Sequence, residues 1–258
     1  MRVLYLGNNW VGWQVLKWLK EQGEEIVGVV IHPTNKQKYA SEILEAAALP
    51  SSRVFDGSRL HRPEMMEAVR KLKPDIGLSI LFNYILEPEF LSIFARGVVN
   101  LHPSYLPYNR GQYPNVWGII EGTPSGSTMH YIDERIDTGD IIAQKEVQVE
   151  PVDTGETLYR KLEQTSLELF QETWPLLRRD KVPRTPQSGE GGTYHRTQDV
   201  DTVDKIDLDG TYLARDLINV LRARTFPPYT GAYFIADGKR VYMRLQLEYG
   251  KEGVPRED

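Results

Sequence analysis

Short apolar strands alternating with helix-spaced segments constrain this chain more than any other feature. Residues 2–6 form a β-prone run that stops at Gly7, and Val11, Val15, Leu16 and Leu19 then recur at helical spacing. Residues 25–31 make a second apolar run, 63–72 read as a helix, and 76–81 make a third run. Parallel strands need crossover connections, so this order predicts an α/β fold with a Rossmann-like parallel sheet covered by helices on both faces. A further strand is expected at 97–101, followed by a Pro-rich loop over 103–114 and a helix over 115–121. Residues 127–132 and 140–149 read as a pair of strands. Residues 154–177 read as a long amphipathic helix capped by Asp153 or Thr154.

Lys, Arg, Pro, Gly, Ser and Asp crowd out apolar residues over 179–204, so a domain of residues 1–180, a linker of 181–204 and a small unit of 205–258 are expected. In the last, 208–224 read as a helix and 231–247 as a hairpin turning at Asp237 and Gly238. Its residues Tyr233, Ile235, Val241 and Met243 are expected to form one apolar face. A length of 258 residues fits one to two domains at roughly 150 residues each.

The absence of cysteine excludes a disulfide framework, a thiolate metal site and a cysteine nucleophile. Acidic residues outnumber basic ones 36 to 31, which argues against binding that draws its strength from nucleic-acid phosphates. No run reaches the roughly 18 apolar residues of a membrane span, and residues 1–13 lack the pattern of a secretion signal. A cytoplasmic protein with no membrane partner is the default expectation. The five histidines, at 32, 61, 102, 130 and 195, form no pair at metal-binding helical spacing, and no metal is expected.

The turn from Gly7 to Gly12 misses the dinucleotide fingerprint, because Asn9 stands where a second glycine would admit a pyrophosphate. The plain alternative is a tight turn with nothing bound; the functional one has Asn9 and Trp10 facing a ligand at the strand's carboxyl end. Strand period 2 puts Asn100 and His102 on one face. A lone His there is more often structural, but the Asn partner and the loop carrying Asn109, Arg110, Gly111, Gln112 and Tyr113 favour a site. Asp137 lies in a polar turn that, by itself, reads as a solvated hairpin loop. If Asp137 folds back near His102, its carboxylate would set the imidazole tautomer for a general base, and Asn100 would hold a developing oxyanion. These are parts for acyl transfer without a protein nucleophile.

The stretches 79–86, 100–107, 109–111 and 135–142 occur in the order and spacing of formyltransferases that use 10-formyltetrahydrofolate, and the chain resembles that family over most of residues 1–180. The resemblance implies Asn100, His102 and Asp137 as the catalytic set. It also implies a pteridine pocket made largely by backbone groups around Leu81, Phe82, Ile85 and Leu86 and around Tyr131 and Asp133. 10-Formyltetrahydrofolate would be the co-substrate and tetrahydrofolate the product.

Three acceptors compete: methionyl-tRNA, glycinamide ribonucleotide and nucleotide-linked amino sugars. Residues 205–258 carry nine Lys or Arg against eight Asp or Glu, a poor grip on RNA. The segment 223–229 followed by a hairpin is similar to the C-terminal part of bacterial sugar N-formyltransferases, many of which dimerise there. The resemblance therefore implies a cytoplasmic homodimer that formylates a UDP- or dTDP-linked amino-dideoxy sugar for surface glycans, with a UDP-linked 4-amino-4,6-dideoxy hexose, as in the pseudaminic-acid pathway, preferred. A hydrolase releasing formate from the same donor would use the same trio, and a silent folate-sensing module is the non-enzymatic alternative. Acceptor contacts are expected among Asn9, Trp10, Lys36, Lys38, Asn109, Arg110, Gly111, Gln112 and Tyr113, each of which also has a plain surface or packing role available. Phe226 and Tyr229 are expected to pack the small unit rather than stack on a nucleobase.

Overall fold

The first strand, β1 (Arg2–Gly7), buries side chains on both faces: Val3 and Tyr5 join one apolar layer, Leu4 and Leu6 the other. Burial on both faces is what a central parallel strand requires. The structure is a computed structural model describing residues 1–187 and 191–250. Residues 188–190 of the expected linker and 251–258 of the expected C-terminal unit lie outside the described residues.

From β1 the chain runs through α1 (Asn9–Glu21), β2 (Glu25–Ile31), α2 (Ala40–Ala47), β3 (Val54–Asp56), α3 (Pro63–Lys71), β4 (Ile76–Ile80), α4 (Pro88–Leu91) and β5 (Val98–His102). It continues through β6 (Arg110–Gly111), α5 (Pro114–Glu121), β7 (Ser125–Tyr131), β8 (Ile141–Val147) and α6 (Gly155–Arg178). Beyond these lie β9 (Tyr194–His195), α7 (Asp201–Asp204), α8 (Ala214–Ala223), β10 (Tyr233–Ala236) and β11 (Lys239–Tyr242).

The central sheet has the order β3-β2-β1-β4-β5-β7-β8. Its first five strands are parallel, while β7 and β8 each pair antiparallel with the preceding neighbour. The strand order reverses between β1 and β4, and ligands of open α/β sheets bind in the crevice outside the carboxyl ends at such a point. Side chains from α1, α2 and α6 cover one face, among them Leu16, Ile43, Phe170 and Trp174. Met66 and Val69 of α3 and Phe90 of α4 cover the other. On β5, Val99 and Leu101 join the first layer and Val98 the second, so Asn100 and His102 share the face of Val98.

α6 starts with a capping box in which Thr154 Oγ1 accepts from the Thr157 N–H and Thr157 Oγ1 accepts from the Thr154 N–H. A Thr cap of this kind contributes about 1 kcal/mol. The edge strand β3 is three residues long, too short to show a period in the sequence.

Two details of the C-terminal unit differ from expectation. The helix begins at Ala214 rather than 208, because Gly210 N–H closes a turn on the Asp207 carbonyl and the Tyr212 hydroxyl accepts from the Asp207 N–H. The hairpin turns at Asp237 and Gly238, but a two-residue loop pairs Ala236 with Lys239 and Phe234 with Val241. Val241 therefore shares a face with Phe234, while Tyr233 and Ile235 share theirs with Tyr242 and Arg240. The single apolar face expected from Tyr233, Ile235, Val241 and Met243 is divided between the two sides. Tyr212, Leu213, Ile218, Ile235, Val241 and Tyr242 are exposed. Among the described residues no helix is long and apolar enough to cross a membrane.

Candidate active site

A cleft of about 1030 Å³ opens where the strands end, lined among others by Asn9, Leu81, Phe82, Ile85, Leu86, Asn100, His102 and Asp137. The antiparallel register opposes Asn100 with His130 and His102 with Thr128, and directly opposed residues share a sheet face. Asn100 Nδ2 donates to His130 Nε2 at 3.2 Å and faces Asp137 Oδ1 at 3.5 Å. His130 Nδ1–H donates to the Tyr131 carbonyl at 2.8 Å, so its Nε2 carries the lone pair that Asn100 uses. This network fixes the orientation of the Asn100 amide, since the flipped amide would set oxygen against two acceptors.

His102 is buried. Its Nε2–H donates to the Asn109 carbonyl at 3.3 Å and lies 3.7 Å from Asp137 Oδ2. That tautomer leaves Nδ1 as the proton-accepting nitrogen, with no hydrogen-bond partner among the described residues. Burial pushes the His102 imidazole below its ordinary value, Asp137 opposes the shift, and His130 adds to it. Burial would raise the Asp137 carboxyl, but the neighbouring His102 and the Gly111 N–H outweigh it and hold the group well below the usual carboxylate range. The Gly111 N–H donates to Asp137 Oδ2 at 2.9 Å.

Asp137 reaches this place because the loop between β7 and β8 folds back over the strand end. Its backbone is in the left-handed region, φ 53°, which is disfavoured for a residue with a Cβ. Thr138 Oγ1 donates to the Asp133 carboxylate at 2.7 and 2.9 Å, and the Arg135 N–H donates to it at 3.1 Å. The Asp133 side chain thus shapes the turn, while the residue lines the cleft. A Cβ on Gly139 would sit 1.9 Å from the Tyr131 carbonyl oxygen. Gly139→Ala is accordingly expected to cost on the order of 1–3 kcal/mol, seen as a lower Tm, and to displace Asp137; an unchanged Tm would show that the turn has room.

The other predicted residues divide. Leu81 adopts φ 48° at the β4 end, and with Phe82, Ile85 and Leu86 it forms one wall. Tyr131 is buried beneath the opposite loop, with the Arg184 guanidinium 3.7 Å from its ring centre. Gly111 and Tyr113 line the cleft, as do Gln112, Lys36 and Lys38. Asn9, at φ 69°, occupies the left-handed turn conformation that glycine would otherwise take, and its amide bonds the Tyr159 hydroxyl of α6. Trp10 packs on the first apolar layer and is not brought into the cleft. Asn109 is buried, its side chain held by Thr123 and Thr193, and it serves His102 through its carbonyl. Arg110 turns to Gln187, to which Nη2 donates at 2.7 Å.

Sequence reasoning missed His130 and Gln187. The alternation of polar Thr128 and His130 with apolar Met129 and Tyr131 marks a strand face, but only the antiparallel pairing places His130 beside Asn100. Gln187 carries no sequence signal.

A formyl transferase family model matches residues 1–173, and a model described as an N-formyltransferase dimerization C-terminal domain matches residues 199–249. Over 266 aligned residues the chain is 30% identical to a methionyl-tRNA formyltransferase from Geobacter sulfurreducens, covering all of this chain and 81% of the relative. A sugar N-formyltransferase from a Shewanella species superposes with a TM-score of 0.81 at 26% identity, covering 97% of this chain and 99% of that one. The formyltransferase PseJ from Anoxybacillus kamchatkensis, solved with UDP-4,6-dideoxy-4-formamido-L-AltNAc and tetrahydrofolate, is 33% identical with a TM-score of 0.56, covering 78% of this chain and 89% of that one.

Proposed function

The chain belongs to the formyl transferase family, and we propose that within it this protein moves a formyl group from 10-formyltetrahydrofolate to the amine of a UDP- or dTDP-linked amino-dideoxy sugar. The observation that carries the acceptor assignment is the near-complete mutual coverage with a sugar N-formyltransferase, whereas the chain leaves part of the methionyl-tRNA relative's length unmatched. The match of residues 199–249 to an N-formyltransferase dimerization domain supports a subunit contact there. The protein acts as a homodimer through that domain, and the exposed apolar residues of α8 and the hairpin suit such a contact. A UDP-linked 4-amino sugar is the preferred acceptor, on the likeness to PseJ. Both substrates are charged small molecules that do not cross a membrane unaided, so the proposed setting is the cytoplasm. Residues 1–180 carry the chemistry in this proposal, with 205–258 as the subunit contact.

The donor supplies an activated formyl carbon; the chain's own residues do the rest. The walls around Leu81–Leu86 and the 131–137 loop suit the flat pteridine, and the left-handed backbone at Leu81 is strain of the kind that clusters at ligand-binding sites. Asn100 holds the formyl oxygen as the amine attacks. Its hydrogen facing Asp137 at 3.5 Å is at the limit of a hydrogen bond, so that is the one released to the oxygen. His102 takes the amine proton at Nδ1, and Asp137 stabilises the resulting imidazolium. The new N–C bond forms as the bond to folate N10 breaks, and the proton passes to N10.

Since His102 works in its neutral form, activity is present above its folded value and lost as pH falls through it. Asp137, His130 and the Asn109 carbonyl face the ring, and the net shift is downward. The acid limb of kcat is therefore expected below about 6.5; a limb centred above pH 7 would contradict the assignment. The function itself is tested by following tetrahydrofolate and formate with and without a panel of UDP- and dTDP-linked amino sugars. Tetrahydrofolate that appears only with an amino sugar supports transfer, while formate release independent of sugar makes the protein a hydrolase.

A further inference from the structure

The segment between α6 and α8 grips both loops that build the site. Thr185 exchanges two backbone hydrogen bonds with Ile141, at 2.8 and 3.0 Å. Thr193 Oγ1 accepts from the Asn109 N–H at 2.8 Å, and β9 pairs in parallel with β6. Between these holds lies Gln187. Its Nε2 donates to the Asp137 carbonyl at 3.0 Å and to the Gly139 carbonyl at 2.8 Å, while its Oε1 accepts from Arg110 Nη2 at 2.7 Å. Both amide hydrogens are committed to carbonyls, so the side chain has one workable orientation.

We propose that Gln187 is a positioning residue for formyl transfer: it ties the Asp137 turn to the Arg110–Gly111 loop and so sets the Asp137 carboxylate against His102. Two features make the tie necessary. Asp137 holds a left-handed backbone whose carbonyl needs a donor that the turn itself does not provide. Its carboxylate partner, the Gly111 N–H, sits on the other loop, so relative movement of the loops changes the contact directly. Gln187 touches no reacting atom and acts through Asp137. A residue fifty positions away in the chain thereby brings the connecting segment into catalysis.

This inference rests on the transferase reading, and the experiment separates the two. Gln187→Glu keeps the shape of the side chain and an acceptor for Arg110, but sets oxygen against the two carbonyls. Gln187→Leu removes all three bonds. In a formyl-transfer assay with the intact protein, both variants are expected to lose kcat by about 10²-fold, the scale of a 1 Å misplacement, with the donor KM within about threefold of wild type. Freed from Asp137, whose charge raises the His102 value, Gln187→Leu, which adds no charge of its own, should also show an acid limb of kcat moved to lower pH. A merely space-filling role predicts that Gln187→Glu behaves like wild type. A kcat loss below about threefold in Gln187→Glu, or a loss confined to KM, overturns the proposal. Should Gln187→Leu fail to fold, the isosteric variant carries the test alone. A wild-type protein that formylates no amino sugar defeats the transferase reading, before any variant is compared.

Discussion

Asn100→Ala is expected to fold normally and to lose on the order of 10²–10³ in kcat, the range seen when one oxyanion donor is removed. The side chain emerges half-buried at the end of β5, so its loss leaves no large cavity in either apolar layer. What it removes is a donor whose direction is fixed by His130 on one side and Asp137 on the other. Because that orientation exists before any substrate arrives, little reorganisation is needed as charge develops on the formyl oxygen. The loss should fall on kcat, with the donor KM little changed. Wild-type turnover in Asn100→Ala would take Asn100 out of the mechanism.

Asp137→Asn is expected to cost about 10²–10⁴ in kcat, the usual reach of acid–base catalysis. Both carboxylate oxygens face donors or the imidazolium that forms: the Gly111 N–H and His102 Nε2 at Oδ2, Asn100 Nδ2 at Oδ1. An amide has only one acceptor oxygen, so its NH2 must confront one of these groups. The same carboxylate links stability to pH. Its folded value lies below the unfolded value of about 3.9, so it contributes stability above that pH, and the contribution is lost on acidification toward the folded value. Asp137→Asn should flatten that acid dependence of Tm as well as reduce kcat. Retention of wild-type kcat would show that His102 needs no carboxylate partner.

The strand-end pair was legible because β-structure has a period of two: Asn100 and His102 follow Val98 on one face whatever the rest of the chain does. Four of the five parallel strands are legible for a similar reason, since they are apolar runs divided by helix-spaced segments, whereas the three-residue β3 is not. The return of Asp137 was not legible. It depends on the close approach of Gly139 to the Tyr131 carbonyl and on the amide of Gln187, neither of which has a local pattern. His130 needed the antiparallel pairing of β5 with β7, which a list of strands does not specify. Trp10 follows a strand end, where a ligand contact is expected, but the helix starting there turns it onto the first apolar layer. Alternation alone puts Ile235 and Val241 on one face of the hairpin, whereas the two-residue turn sets Val241 opposite Phe234.

Direct transfer to a sugar amine is the central claim, and an isotope-labelled formyl donor tests it most directly. The protein is mixed with that donor and each nucleotide-linked amino sugar, and the products are examined by mass spectrometry. The account predicts that the label appears as one formamide on a UDP- or dTDP-linked amino sugar, and that Asn100→Ala transfers almost none of it. Label recovered only as free formate, or carried by methionyl-tRNA or glycinamide ribonucleotide in place of every sugar, would contradict it.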